Sequence, residues 1–150
     1  MASNRLIRCV RTILLALVTV LALSGCYNSG SENYKSVAVG SNLNLAGLEL
    51  RSISIASRAE NQPGRLLGAV FNPTGEDIKL TIGDRDNSLD LTVPAKGQLP
   101  FDTAVHILQT TDEPPGARTD LTVGAKGEKS VLNVPVLDGT LEQYAPYVPK

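Results

Sequence analysis

Two cysteines, one histidine and a group of closely spaced aspartates are the side chains of this 150-residue chain from which reactive or ligating chemistry could be built. Cys26 carries the most specific pattern. It ends the run Leu23-Ser24-Gly25-Cys26, in which small Ser24 and Gly25 can enter a peptidase site and the Cys26 thiol can take a diacylglycerol in thioether linkage. That is the layout of a bacterial lipobox. Its flanks agree, because Arg5, Arg8 and Arg11 precede an apolar, acid-free stretch at residues 12–23. Those 12 residues fall short of the roughly 20 that a membrane-spanning helix requires, so the segment reads as the h-region of a signal cleaved before Cys26. Cys9 leaves with the signal, no intramolecular disulfide can form, and acylation consumes the one thiol left in an oxidising exterior. Two esterified chains hold a protein on a bilayer where one is marginal, since each buried methylene adds about 0.8 kcal/mol. The expected address is extracytoplasmic, with the membrane as first partner through the lipid on Cys26. Tyr27, not Asp, follows the cysteine, so the inner-membrane retention signal of enteric bacteria is not matched.

The other candidates are weaker. A Ser-His-Asp triad would have to use His106, yet no Gly-x-Ser-x-Gly turn occurs. Alternation from Phe101 to Leu108 puts His106, with Asp102 and Ala104, on the face opposite Phe101, Val105 and Ile107, at the surface. Asp84-Arg85-Asp86-Asn87-Ser88 spaces oxygens as a calcium loop begins. No glycine follows, however, and Ala95 stands where the bidentate glutamate belongs, so a turn with Asx hydrogen bonds fits better. Any two of Asp84, Asp86, Asp90 and Asp102 are open to the paired-carboxylate chemistry of glycoside hydrolysis, although spacing singles out none.

With three of 14 basic and none of 15 acidic side chains removed, the processed chain has 125 residues and a charge of −4. Basic residues are dispersed and only four Tyr occur, so no nucleic-acid platform is built. Residues 26–36 are the acylated cysteine and a polar, Gly/Ser-containing tether, with a reach of about 15–20 Å over ten residues. Residues 37–138 show period-2 alternation without helical spacing, and 139–150 read as a C-terminal tail.

The pattern predicts an all-β, Greek-key β-sandwich of seven or eight antiparallel strands, with no cofactor. Val37 and Val39, with Leu43 and Leu45, supply a short first strand. Leu48 and Leu50 change phase with Ile53 and Ile55, predicting a bulge near Arg51-Ser52. Leu67, Ala69 and Phe71 are the expected inward set of the next strand, before the turn Asn72-Pro73-Thr74-Gly75. Ile78, Leu80 and Ile82, then Leu89, Leu91 and Val93, follow. Leu99, Phe101, Val105 and Ile107 share a side, and Leu121 and Val123, with Leu132, Val134 and Val136, complete the core. Pro135 is expected outward on an edge strand. Seven of eight positions in Asp90 to Gly97 recur in Asp120 to Gly127, either as equivalent hairpins at one end of the sandwich or as two independent turns.

The order of Gly47-Leu48-Glu49-Leu50-Arg51-Ser52-Ile53-Ser54-Ile55, Val70-Phe71-Asn72, Val93-Pro94-Ala95-Lys96-Gly97, Val134-Pro135-Val136 and Tyr144-Ala145-Pro146 resembles the actinobacterial LpqE-type small lipoproteins. Those are similar to the periplasmic copper-binding PCu(A)C domain, and the resemblance implies a cupredoxin-like shape. It does not carry the copper chemistry here, since Cu(I) needs Met and His donors and this chain has only Met1 and His106.

The expected function is a lipid-anchored, non-catalytic binding or structural module of the bacterial cell envelope with an unidentified envelope partner. Alternatives are a degenerate metallochaperone-like protein using oxygen ligands at Asp84 and Asp86, and an envelope polysaccharide hydrolase using paired carboxylates. The longest polar connection, Gln109 to Arg118, has consecutive prolines that cannot form a ladder strand, so Asp112, Glu113 and Arg118 are the candidate partner-binding residues, against a bare crossover between sheets.

Overall fold

The computed structural model describes residues 40–150; the signal, the lipobox ending at Cys26, the tether and Val37 and Val39 lie outside the described residues. Nine strands form in the order β1 (Ser41–Leu45), β2 (Leu48–Ser57), β3 (Gly64–Asn72), β4 (Ile78–Gly83), β5 (Ser88–Val93), β6 (Gly97–Pro100), β7 (Ile107–Leu108), β8 (Arg118–Ala125) and β9 (Glu128–Leu137). The domain is all-β, and among the described residues the one helical element is a single 3-10 turn at Ala145–Tyr147. Strands neighbour one another in the order β5-β4-β8-β9-β2-β3-β6, with β1 added to β2 and β7 to β3. The crossovers that seat β8 on β4 and β9 on β2 curl this sheet into a nearly closed sandwich.

Nine strands stand where seven or eight antiparallel ones were expected, and one pairing is parallel. Ile55 and Ala56 of β2 face Val136 and Leu137 of β9 where β9 leaves its own sheet to bridge to the other. The ninth strand comes from the expected run Leu99 to Ile107, which divides into β6 and the two-residue β7; the short first strand expected at Leu43 and Leu45 forms as β1, joined to β2 by the two-residue turn Ala46-Gly47 with φ of 51° and 87°. The expected bulge is present: the β2–β3 register shifts between Arg51 and Ser54. Ser52 takes a φ of 54°, held by Ser52 N donating to Asn42 Oδ1 at 2.7 Å. Gly68, opposite, has a φ of 103°, and a Cβ there would lie 2.6 Å from the Arg51 carbonyl oxygen, so only glycine fits.

The core is aliphatic. Leu50, Ile53, Ile55, Leu66, Val70, Leu80, Ile82, Leu121, Val123 and Val134 are fully buried with Phe101, each large side chain contributing about 1.5–3 kcal/mol. Three expected placements are corrected. In β3 the inward positions are Leu66, Val70 and Asn72, while Phe71 is 37% exposed. A polar residue is tolerated inside because Asn72 Nδ2 donates to Glu76 O at 2.8 Å and Val93 O at 3.0 Å. Its Oδ1 accepts from Thr74 N at 3.1 Å and Thr74 Oγ1 at 2.6 Å, so Asn72 is fully hydrogen-bonded. Residues 101–106 are turn, not strand, so alternation lapses: Val105 is 61% exposed and His106 turns inward, its ring edge-on to Phe101 at 5.3 Å. Pro135 is buried in β9, between β8 and β2, and not on an edge. Val136 N donates to Ala117 O, so by alternation the Pro135 nitrogen faces the β2 side, where pairing starts only at Val136 and no donor is missed.

Strand directions sort the connections into two ends. Turns at 46–47, 73–77, 94–96 and 126–127 close one end, called here the lower; the longer loops 58–63 and 109–117 gather at the other with the β4–β5 turn 84–87.

Candidate functional site: the upper-rim cleft

The upper loops hold one another through buried hydroxyls. Thr111 is fully buried, and its Oγ1 lies 3.3 Å from Ser57 Oγ and 3.2 Å from both Ala59 O and Gln62 O. Ser57 Oγ in turn reaches Ala59 O and Pro63 O, each at 3.0 Å, so two hydroxyl protons serve three carbonyls of the β2–β3 loop. The Thr111 carbonyl accepts from Asn61 N at 2.8 Å. The β4–β5 turn joins this set, because Asn87 Nδ2 donates to Thr110 Oγ1 at 2.7 Å. That turn is the Asx turn expected from its sequence: Asp84 Oδ1 accepts from Asp86 N at 3.1 Å and from Asn87 N at 2.8 Å. The prolines at the tip of loop 109–117 close a turn, with Ala117 N donating to Pro114 O at 3.1 Å, and Gly116 N reaches Val136 O at 2.9 Å.

Between these loops and the outer face of β8 lies a cleft of about 360 Å³. Asp112 and Glu113 line one wall and Asp84 and Arg85 the other; Arg118, Asp120 and Thr122 of β8, with Asn133 of β9, form the floor. The Arg118 guanidinium is fixed there. Its Nε donates to Asn133 Oδ1 at 2.6 Å, and its Nη2 to Ser41 Oγ and Asn133 O, both at 2.6 Å. Ser41 Oγ also bonds Asn133 O, and Asn133 Nδ2 reaches Asp120 Oδ1 at 2.7 Å, so β1, β8 and β9 share one polar network. Asp84 Oδ2 and Arg118 Nη1 are shielded from solvent and have no hydrogen-bond partner among the described residues. Such atoms cost about 1–3 kcal/mol each.

The three loop residues expected from sequence therefore converge, and Asp84 joins them. Asp86, Asp90 and Asp102 do not. Asp86 shares the β4–β5 turn with Asp84 but does not line the cleft, Asp90 on β5 accepts from Thr81 Oγ1 of β4 at 2.7 Å, and Asp102 follows β6. Among the described residues no group of three His, Cys, Asp or Glu side chains converges as metal ligands. His106 lies outside the cleft. Burial, and then the Arg65 guanidinium, hold its pKa below the ordinary imidazole value, while Arg65 itself stacks over the Tyr147 ring at 5.0 Å. Arg85, Asp120, Thr122 and Asn133 were not singled out from sequence. Alternation along β8 puts Asp120 and Thr122 on the face of Arg118, but Asn133 joins only through its register opposite Asp120. No protein-family model matches the chain, and no curated protein matches it.

Proposed function

We propose that this chain is a lipid-anchored, extracytoplasmic and non-catalytic binding module of the bacterial cell envelope, and that the upper-rim cleft is its binding surface. The observation that carries the reading is the convergence of Asp112, Glu113 and Arg118 with Asp84 and Arg85 in one cleft on cross-bonded loops. A bare crossover between sheets needs no buried threonine to fix it; a recognition surface gains from being pre-organised. The lipobox ending at Cys26 supports the address. The test has two arms. Cys26→Ala should move the protein out of the membrane fraction or leave it unprocessed, and an unmodified Cys26 in the intact mass of the wild type would refute the anchor. Replacing Asp112 to Pro115 by an equal-length Gly/Ser linker, with Thr111 retained, should leave thermal unfolding intact and remove partners captured by envelope crosslinking. An unchanged set of captured partners would return the loop to a structural role.

A further inference from the structure

We infer that the rim cleft takes an uncharged polyhydroxylated ligand, the chemistry of a neutral saccharide chain; the inference rests on reading the cleft as the binding surface. The cleft holds charges of both signs that do not neutralise each other. Asp84, Asp112, Glu113 and Asp120 line it with Arg85 and Arg118, yet among the described residues the ion pairs are Glu49 with Arg51 and Glu76 with Lys126, both elsewhere. Arg118 bonds instead to the neutral groups of Asn133 and Ser41, and Asp84 to backbone and amide N–H of its own turn.

Each simpler ligand class meets an obstacle. An anion faces four carboxylates against two guanidiniums, a net −2. A bare cation finds no converging set of three carboxylates and a guanidinium clamped in the floor. An apolar ligand finds no aromatic or large aliphatic side chain in the lining. A hydroxyl group both donates and accepts, so one sugar ring with adjacent hydroxyls can donate to the Asp112 and Glu113 carboxylates while accepting from the Arg85 guanidinium, Arg118 and Asp84 being held within the protein. The volume of about 360 Å³ falls in the range of about 300–1,000 Å³ usual for small-ligand sites. Without an aromatic surface for the ring to stack on, affinity is expected in about the millimolar range per binding unit.

The full-length chain in detergent micelles is tested against immobilised uncharged gluco-, manno-, galacto- and arabino-oligosaccharides, a sulfated oligosaccharide and an oligolysine peptide. Binding to at least one uncharged oligosaccharide is expected, changing little between about 50 and 300 mM salt because no net charge is neutralised. Asp112→Ala/Glu113→Ala and, separately, Arg85→Gln should weaken it about tenfold or more. The side chains of these three residues make no hydrogen bond among the described residues, so the variants should fold as wild type, which thermal unfolding checks. Binding only to oligolysine with a steep salt dependence, or only to the sulfated probe, overturns the ligand class. So does silence toward every probe, or saccharide binding that both variants retain. If the envelope partners captured by the wild type still depend on the loop in any of these cases, the binding surface stands and only the saccharide inference fails.

Discussion

The lower and upper ends of this sandwich are built by different means. Below, the chain reverses within a few residues, and backbone conformation does much of the work, with the Asn72 and Asp77 side chains adding bonds to Val93 O at 3.0 Å and Ala95 N at 2.8 Å. Ala46-Gly47 and Lys126-Gly127 are left-handed pairs, Lys96 has a φ of 49°, and Lys96 N donates to Thr74 O at 2.8 Å. Above, long-range side-chain hydrogen bonds replace tight turns: Thr111 binds a loop about fifty residues earlier in the chain, and Arg118 binds Ser41. The contrast separates an end that only closes the fold from one whose shape is specified at positions the strands do not require.

The strongest way to break the lower end lies in the core behind it. Asn72→Leu removes four hydrogen bonds and takes the amide donor from the Val93 and Glu76 carbonyls, the latter keeping only Thr74 Oγ1 at 3.3 Å. The expected loss is about 3 kcal/mol, read from the midpoint of urea unfolding. An unchanged midpoint would mean that the network contributes nothing net.

The upper end should respond less globally and more locally. Thr111→Val keeps shape and volume but removes the hydroxyl from its contacts with Ser57, Ala59 and Gln62. A loss of about 1–2 kcal/mol is expected, with faster amide exchange in loops 58–63 and 109–117 and unchanged exchange in the lower turns. Uniformly faster exchange would show that the two ends are not separable.

The same contrast explains what could be read from sequence. The all-β class, the bulge at Arg51-Ser52, the lower turns and most of the core follow from period-2 alternation and turn residues, which are local signals. The β3 face was misread because Asn72 looks like an outward polar residue until its partners at residues 76 and 93 are known. Of the two readings left open for the repeat, that of two independent turns holds. Asp120 to Gly127 ends in a true hairpin, whereas its counterpart crosses between sheets, with β5 on β4 and β6 on β3. In the cleft, loop length and composition gave Asp112, Glu113 and Arg118; Asn133 and Ser41, at separations of 15 and 77 residues from Arg118, left no local trace.

A smaller effect is expected at a charge contact that ties two lower turns together. Lys126 Nζ pairs with Glu76, but both side chains are substantially exposed, at 41% and 67%. Lys126→Met should therefore change stability by about 0.5 kcal/mol or less, and less still at high salt. A loss comparable to that of Thr111→Val would show that exposed charge pairing also holds the lower end.

The last effect is read from its pH dependence and belongs to His106, on the side of the sandwich between the two ends. Burial and then the nearby Arg65 hold its folded-state pKa below the ordinary imidazole value of 6.5, so the fold favours the neutral ring. This contribution is fully present above the unfolded pKa of about 6.5 and is lost as pH falls through the lower folded value, where the unfolded chain binds the proton first. His106→Asn gives up the ring packing against Phe101 at every pH but has no proton to take up. The stability difference between wild type and variant should therefore be constant above about pH 7 and shrink in acid. Urea unfolding of both proteins between about pH 7.5 and 5 measures it, and a difference that widens in acid would reverse the assigned direction.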